Sequence, residues 1–250
     1  MEELLTLKNK NAIITGARGG IGDAIVRTFA RAGANVYACA RKYDEKFENH
    51  LKSLADEYGV KIVPVYFDLS KEQEIKQAIT KLGRIPVDIL VNNAGVAYES
   101  TSFCMTDIQK ISNTFATNFV GTTILTQYVV RLMLRKKAGS IIHIASVAAL
   151  DGEPAQYEYV ASKAALVGGT KQLARELAQY NIRVNCVAPG IIDTAMGQQI
   201  NDILKEQITQ NKVMMKRVGN PQEVANVVTF LASDLASYMT GQIVRVDGGI

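Results

Sequence analysis

The sequence has few cysteines and histidines, and each shortage argues against a class of site. Its three cysteines, Cys39, Cys104 and Cys186, are odd in number and widely spaced, which favours structural thiols over disulfides or a Cys-x-x-Cys centre. The two histidines, His50 and His143, lie far from each other and from any cysteine or carboxylate pair at ligand spacing. We therefore predict no metal site, and we interpret His143 as a strand residue.

The chain also lacks long apolar runs and any concentration of basic residues. No segment approaches the roughly 20 consecutive apolar residues of a membrane-spanning helix, and residues 1–5 lack the basic region and apolar run of a secretory signal. The 28 Lys and Arg residues slightly outnumber the 24 Asp and Glu residues but are scattered along the chain. These features predict a cytoplasmic protein that binds neither a membrane nor nucleic acid.

Short apolar runs alternate with longer amphipathic stretches throughout the 250 residues. The short runs, bounded by Gly, Asn or Pro, predict seven strands at residues 11–15, 36–40, 62–67, 88–91, 140–145, 183–187 and 242–246. The amphipathic stretches predict helices that include residues 20–31, 71–82, 108–134, 158–180 and 221–231. With no linker in the chain, this pattern predicts one domain, residues 1–250, with a doubly wound, Rossmann-like α/β fold. Its seven-stranded parallel sheet would carry helices on both faces and bind ligands beyond the carboxyl ends of the strands.

A glycine-rich turn directly follows the first predicted strand. It reads Thr15-Gly-Ala-Arg-Gly-Gly-Ile-Gly22 and leads into a helical stretch. Glycines let the backbone approach a pyrophosphate closely, and the helix N-terminus adds amide donors and a favourable dipole. Glycines also mark ordinary turns, but the strand-turn-helix context favours a dinucleotide site. The predicted cofactor contacts in this loop are Gly16, Arg18, Gly19, Gly20, Ile21 and Gly22.

The residue after the second predicted strand points to NADP(H). In the common dinucleotide fold an acidic residue at this place binds the ribose 2′-hydroxyl and selects NAD, whereas this chain has Arg41. A guanidinium pairs with a 2′-phosphate, and Arg18 and Lys42 lie nearby in sequence. The alternative, a merely solvated pair of Arg41 and Lys42, stays open. Asp44 and Glu45 lie further on, where the first turn of a helix is expected.

Tyr159 and Lys163 are four residues apart in a predicted helix and so share one face. Tyrosine titrates near pH ~10, and a neighbouring cation favours the phenolate, so Lys163 is expected to bring the Tyr159 pKa towards a useful acid/base range. Tyr157 has no lysine four residues further on and is not assigned this role. Standing alone, the pair would be read as a chance arrangement on a solvated face.

The pair does not stand alone, because the chain resembles the short-chain dehydrogenase/reductase family from Thr15 to Gly249. The matching features are Thr15-Gly16-x-x-x-Gly20-Ile21-Gly22, Asp68, Asn92-Asn93-Ala94-Gly95, Asn118, Ser146, Tyr159-x-x-x-Lys163 and Pro189-Gly190-x-x-x-Thr194. One position departs: Gly19 stands where many NADP-using relatives carry Arg, and Arg18 lies one place earlier. This departure weakens the assignment of Arg18 more than that of Arg41.

The resemblance implies an oxidoreductase acting on alcohol or carbonyl groups, with one catalytic unit. Tyr159 would give a proton to the substrate carbonyl oxygen as hydride arrives, and Ser146 would hydrogen-bond that oxygen. Lys163 would lower the tyrosine pKa and bind the nicotinamide ribose, while Asn118 would anchor a water that relays protons. The further cofactor contacts it implies, beside Tyr159 and Lys163, are Asp68, Leu69, Asn92, Ala94, Gly95, Pro189, Gly190, Ile192 and Thr194.

Substrate choice would be made by a loop or lid at residues 191–215 and by segment 96–106. The lid is rich in apolar residues that fit a greasy group or simply pack a helix: Met196, Ile200, Ile203, Leu204, Val213, Met214 and Met215. In length and basic positions the chain resembles the 3-oxoacyl-(acyl-carrier-protein) reductases of fatty acid biosynthesis. That resemblance implies NADPH-dependent reduction of 3-oxoacyl thioesters, with an acidic carrier docked at Lys136, Lys137 and Arg175. Helix dipoles also favour cations near helix C-termini, so a reductase of sugars, polyols or other small ketones stays open.

Two further expectations concern assembly and a non-catalytic alternative. Relatives usually form tetramers through the tyrosine helix, the helix before it and the C-terminal strand, which implies a homotetramer. Small residues would allow close approach of that helix: Ala161, Ala164, Ala165, Gly168 and Gly169. An NADP(H)-binding sensor without turnover is the alternative from another class, and the intact set of four catalytic positions argues against it.

Overall fold

Seven parallel strands form one sheet in the computed structural model, which describes residues 5–83, 85–194 and 209–250. The strands are β1 (Asn11–Thr15), β2 (Asn35–Ala40), β3 (Ile62–Tyr66), β4 (Ile89–Asn92), β5 (Gly139–Ile144), β6 (Ile182–Pro189) and β7 (Ile243–Val246). Their order is β3-β2-β1-β4-β5-β6-β7, so the chain changes direction across the sheet between β1 and β4. Ligands of doubly wound sheets bind at such a point, beyond the carboxyl ends of the strands.

Helices connect the strands and cover both faces of the sheet. They are α1 (Gly20–Arg31), α2 (Glu45–Tyr58), α3 (Glu72–Leu82), α4 (Ile108–Phe115), α5 (Thr122–Lys136), α6 (Ala148–Asp151), α7 (Tyr157–Leu177) and α8 (Pro221–Ala232). The predicted helix at 108–134 is divided, because a π-helical turn at Ala116–Gly121 separates α4 from α5. None of the helices in the described residues combines the length and apolar character that a membrane crossing requires.

The core lies in two layers because successive strand side chains point to opposite faces. Ile14 of β1 packs in the layer of α1, α2 and α8, which contains Phe29, whereas Ile13 packs in the layer of α3, α5 and α7 with Leu125. All four side chains are fully buried. The predicted Rossmann-like fold is confirmed.

The cysteines and His143 test the expectation of structural side chains. Cys39 and Cys186 are buried, and burial raises the pKa of both thiols, that of Cys186 to about 11. Cys104 is exposed, so it does not share their buried place. His143 lies in β5 as predicted, and burial, with the charge of Lys163, lowers its pKa to about 4. The imidazole is therefore neutral at physiological pH.

Candidate active site

The glycine turn after β1 is folded so tightly that side chains would not fit. Gly16 has a φ of +64°, and a Cβ there would lie 2.8 Å from Asn93 Nδ2. A Cβ on Gly22, in the first turn of α1, would overlap the carbonyl oxygen of Gly16. The bare backbone leaves the N-terminus of α1 open to an anion, which is what a pyrophosphate requires. The loop fits a dinucleotide.

Asn93 and Thr15 hold this turn against the end of β4. The Asn93 amide donates to the carbonyl oxygens of Thr15, at 3.0 Å, and Gly16, at 3.2 Å. In return, Thr15 Oγ1 accepts from the backbone N–H of Asn93, at 2.9 Å, and of Ala94, at 3.0 Å. Sequence reasoning did not assign Asn93, although it stands in the Asn-Asn-Ala-Gly motif. Its function is to shape the cofactor loop.

Asn92 was expected to line the cofactor cleft, and its side chain lies elsewhere. It is buried, donates to Thr126 Oγ1 at 2.9 Å, and lies 3.1 Å from His143 Nδ1. Neighbouring strand residues face opposite sides, so Asn93 meets the glycine turn while Asn92 meets α5. The Asn92 side chain thus joins β4 to β5 and α5, and its place among the cofactor contacts stays a prediction.

Arg18 and Arg41 occupy different electrostatic surroundings at the adenosine end of the predicted cleft. Arg18 Nη2 is 2.6 Å from Asp44 Oδ2, and Asp44 also caps α2 by accepting from Phe47 N at 2.9 Å. Asp44 therefore opens a helix as predicted, and Arg18 already has an anionic partner. Arg41 is exposed directly after β2. It is the freer of the two predicted guanidinium ligands for a phosphate.

Asp68 follows β3 and carries a stabilised negative charge. Burial acts to raise the pKa of Asp68, but hydrogen bonds from Ser70 and the charge of Arg41 outweigh it and lower the pKa. Asp68 Oδ1 accepts from the Ser70 backbone N–H at 2.9 Å and from its hydroxyl at 2.7 Å. The next residue, Leu69, is buried, and its carbonyl oxygen packs against Gly121. Asp68 is thus fixed as an acceptor near Arg41.

The segment after β6 meets the glycine turn from the other side. A Cβ on Gly20 would lie 3.0 Å from the Thr194 methyl group, which places Thr194 beside the cofactor loop. Gly190 N donates to Val246 O at 2.9 Å, which fixes the chain after Pro189 against β7. Ile192 is buried and pairs with Gly219. Of the predicted lid, residues 195–208, with Met196, Ile200, Ile203 and Leu204, lie outside the described residues.

Lys163 and Asn118 converge on the backbone after β4. Both are buried, and a Cβ on Gly95 would lie 3.1 Å from Lys163 Nζ and 3.2 Å from Asn118 Oδ1. Lys163 Nζ donates to the carbonyl oxygen of Ile144 at 2.8 Å, and burial lowers its pKa to about 8. Lys163 Nζ is 5.8 Å from the centroid of the Tyr159 ring. The structure thus brings these predicted residues together at one edge of the sheet.

The surroundings of Tyr159 differ from the expectation that Lys163 lowers its pKa. Burial raises the pKa of the Tyr159 phenol, and a hydrogen bond with Ser146 acts in the opposite direction without cancelling that effect. Lys163 directs its ammonium to the Ile144 carbonyl, so desolvation dominates at the phenol. Tyr159 therefore remains a protonated phenol at neutral pH, which is the form that donates a proton.

Asn118 lies in the π-helical turn and joins three parts of the site. Its Oδ1 accepts from Val96 N at 2.7 Å, and its Nδ2 donates to Val96 O at 2.9 Å and to Ser162 Oγ at 3.0 Å. Both amide hydrogens are thereby used, and Oδ1 keeps capacity for one more donor. Ser162, which sequence reasoning did not assign, donates to the Tyr159 carbonyl at 2.8 Å. π-turns recur at functional sites, where they re-aim side chains.

Comparisons with known proteins agree with this geometry. Residues 16–250 match the family model described as Enoyl-(Acyl carrier protein) reductase. The chain is 38% identical to the 3-oxoacyl-(acyl-carrier-protein) reductase of Chlamydia muridarum, over 98% of both chains. Among solved structures it is similar to a protein described as an NAD(P)-dependent gluconate 5-dehydrogenase from Beutenbergia cavernae with bound NADP, at 32% identity, TM-score 0.92 and 98% coverage of both chains. It is also similar to the L-sorbose reductase of Gluconobacter frateurii, solved with NADPH and L-sorbose, at 30% identity, TM-score 0.90 and 98% coverage of both chains.

Proposed function

The chain belongs to the short-chain dehydrogenase/reductase family, and from that premise we propose that it reduces 3-oxoacyl thioesters to 3-hydroxyacyl thioesters with NADPH. As a member of the family it is an oxidoreductase that acts on CH–OH or C=O groups with a nicotinamide cofactor. The observation that carries the proposal is the arrangement of Tyr159, with Lys163 and Ser146 beside it, at the sheet edge that also holds the glycine turn. The thioester substrate is supported by the name of the relative from Chlamydia muridarum.

Each side chain of the site has a separate role in the proposed reaction. The bound nicotinamide supplies the hydride. Tyr159 donates its proton to the carbonyl oxygen, and Ser146, whose hydroxyl interacts with the phenol, holds that oxygen in place. Lys163, one helical turn from Tyr159, would bind the ribose of a nicotinamide cofactor and would keep a positive charge near the developing alkoxide. Asn118 fixes the backbone at Val96 and offers Oδ1 to a proton-relaying water.

The residues around the glycine turn would hold the cofactor. Gly16, Gly20 and Gly22 leave room where Cβ atoms would collide with neighbouring groups, and the pyrophosphate would lie there against the N-terminus of α1. Asp68 would accept a hydrogen bond from the adenine, and Thr194 would meet the nicotinamide end. Arg41 would pair with the 2′-phosphate, which favours NADPH over NADH.

Replacement of Arg41 by Ser should weaken NADPH binding and leave NADH binding almost unchanged. Loss of a charged hydrogen bond of about 1.5–3 kcal/mol corresponds to a rise in the NADPH Kd of about 10- to 150-fold. Nucleotide titration followed by fluorescence measures both constants. Lys52→Ser is the matched control, because Lys52 is an exposed cation of α2 that is not proposed to meet the phosphate. Equal weakening of both nucleotides by Arg41→Ser would contradict the assignment.

An apolar rim supports an acyl substrate. Large apolar side chains are exposed near the start of α7 and after residue 209: Tyr98, Phe103, Met105, Ile108, Tyr157, Met214 and Met215. Phe103 and Tyr157 contact each other, with ring centroids 4.7 Å apart. An exposed apolar pair of this kind fits a greasy ligand.

The basic patch expected to dock a carrier, Lys136, Lys137 and Arg175, lies at the other edge of the sheet. Lys136 is already paired with Asp88, which precedes β4. Arg175 lies about 24 Å further along α7 than Tyr159, at a rise of 1.5 Å per residue. Lys136 is thus engaged in an ion pair, and the acyl chain of a carrier docked at Lys137 and Arg175 would have to span this distance to reach Tyr159.

The second candidate function is reduction of a sugar or sugar acid. It is favoured by the solved structures of similar fold, which are described as a gluconate 5-dehydrogenase and an L-sorbose reductase. The segment that exposes Tyr98 and Phe103 also exposes Glu99, Ser100 and Ser102, which offer polar partners to such a substrate. The thioester is the first candidate because the chain is 38% identical to a 3-oxoacyl-(acyl-carrier-protein) reductase, against 32% and 30% for these two structures.

Initial rates of NADPH oxidation, with NADH in parallel, test both candidates. The panel contains acetoacetyl thioesters, 5-ketogluconate, L-sorbose and simple ketones. Thioester reduction with NADPH at a kcat/KM at least tenfold above that of the sugars is the expected result. Faster turnover of the sugars would transfer the proposal to the second candidate, and absence of turnover with every carbonyl would refute both.

A further inference from the structure

A buried ion pair connects α4 to the first turn of α7, next to Tyr159. Lys110 Nζ lies 3.2 Å from Glu158 Oε1, and Glu158 is only 2% exposed. Its second oxygen, Oε2, has no hydrogen-bond partner among the described residues. Withdrawing a carboxylate from water costs several kcal/mol unless it is paired and hydrogen-bonded. A partly satisfied pair at this place therefore calls for a role other than stability.

Lys110 donates its other hydrogen bonds to residues 99–101, in the segment that follows β4. Its Nζ donates to the carbonyl oxygen of Glu99 at 2.6 Å and to Thr101 Oγ1 at 3.1 Å. It also lies 5.9 Å from the ring centroid of Tyr98. An ammonium has three N–H donors, and with Glu158 they all have acceptors. A single lysine thus ties residues 98–101 to a buried carboxylate.

The segment at residues 96–105 runs from its contact with Asn118 across the start of α7. It begins at Val96, whose N–H and C=O are both bound to the Asn118 side chain. Thr101 N then donates to the carbonyl oxygen of Ala155 at 2.8 Å, just before α7. Residues 97–105 therefore cover the helix end that carries Tyr159. A carbonyl substrate placed at Tyr159 would have this segment as one wall.

The ion pair belongs to a stripe of polar contacts between α4 and α7. Lys110 and Thr114 lie four residues apart on one face of α4, and the Thr114 hydroxyl donates to the Lys110 carbonyl at 2.8 Å. Asn118 follows in the π-helical turn. Glu158 and Ser162 have the same spacing on α7. Lys110 meets Glu158 at one end of the stripe, and Asn118 meets Ser162 at the other. Asn118 fixes Val96 at the start of the segment, and Lys110 fixes Glu99 and Thr101 a few residues further on.

We propose that Lys110 is a positioning residue that uses buried Glu158 as its anchor to hold residues 97–105 as a wall of the substrate site. The proposal rests on the proposed function, because it assigns that wall to the carbonyl substrate. It predicts an effect on substrate binding that is separate from cofactor binding. No contact of Lys110 reaches the glycine turn in the described residues.

Lys110→Met should raise the KM of the best carbonyl substrate about tenfold or more, while kcat changes less than about threefold and the NADPH Kd less than about twofold. Lys110→Met leaves Glu158 buried and unpaired, so the double variant Lys110→Met/Glu158→Gln is measured beside it. The double variant should regain thermal stability yet keep the raised KM. Lys110→Arg, which keeps the charge, should recover part of the lost substrate binding. Lys76→Met, at an exposed lysine of α3, is the matched control.

Hydrogen exchange of the NADPH-free protein tests the wall without any turnover. The amides of Thr101, Met105 and Thr106 donate hydrogen bonds in this segment. In Lys110→Met and in the double variant, the peptide covering 97–106 should exchange at least about tenfold faster than in wild type, with no change in the peptide covering the glycine turn. Absence of turnover in the wild-type protein would refute the proposed function, while exchange still decides the role of Lys110. Unchanged exchange at 97–106, or a KM that returns to the wild-type value in the double variant, would overturn the proposal.

Discussion

Tyr159→Phe is expected to lower kcat for carbonyl reduction by about 10²- to 10⁴-fold, the range typical of losing a general acid. The substitution removes only the phenolic oxygen, so the ring and the packing at the start of α7 are kept. Burial raises the pKa of Tyr159, so at neutral pH the wild-type residue is the protonated donor that reduction needs. The NADPH Kd should change less than about threefold, since Lys163 keeps its bond to Ile144. Steady-state rates and nucleotide titration separate the two effects.

Tyr157→Phe is the matched control for this experiment. Tyr157 lies two residues earlier, is about half exposed, and contacts Phe103 through its ring, which phenylalanine retains. Turnover of this variant should stay within about threefold of wild type, because the hydroxyl that it removes is not the one proposed to protonate the substrate. If Tyr159→Phe kept wild-type turnover, or if both variants lost it equally, Tyr159 would not be the proton donor.

Gly22→Ala is expected to disrupt the cofactor loop. The added Cβ would overlap the Gly16 carbonyl oxygen and approach Asn93 Nδ2 at 2.8 Å, and neither can rotate away because Asn93 is itself bonded to the turn. Overpacking against such a rigid site costs about 1–3 kcal/mol or more. We expect a rise in the NADPH Kd of at least about a hundredfold, measured by titration, and a lower melting temperature.

Gly19→Ala provides the stability control for that substitution. Gly19 precedes α1 with an extended φ of −177°, and a Cβ there would meet nothing within 4 Å. Its melting temperature should therefore stay within about 2 °C of wild type, whereas that of Gly22→Ala falls by about 2–12 °C. Equal melting temperatures for the two variants, with unchanged NADPH binding by Gly22→Ala, would contradict the close packing of this turn.

The architecture was predictable because each strand and helix has a characteristic spacing of apolar residues. The run at residues 11–15 has a continuous apolar centre, Ala12-Ile13-Ile14, as a strand buried on both faces requires, and its predicted bounds agree with β1. The stretch 20–31 has helical spacing of apolar residues and forms α1 with the predicted bounds. The Tyr159 and Lys163 pair follows from the same geometry, since a four-residue separation in one helix places both on one face.

Side-chain partners from distant parts of the chain were not predictable in this way. Asn92 and Asn93 are adjacent and chemically identical, yet only the register of β4 decides which one meets the glycine turn. Arg18 was predicted as a phosphate ligand, and only the fold brings Asp44 against it. The π-helical turn at Asn118 likewise has no signal in the apolar spacing of residues 108–134.

By itself, the sequence determined the doubly wound sheet, the glycine turn and the positions of the side chains proposed to be catalytic, because each depends on spacing within one element or on one turn. Only the tertiary structure decided the protonation and pairing of those side chains. Burial, which depends on every packed element, raises the pKa of Tyr159 although Lys163 is one turn away. The pairing of Lys110 with Glu158 exists only because α4 packs on α7. Desolvation and contacts between separate helices are properties of the folded chain, and neither follows from the spacing of residues within one element.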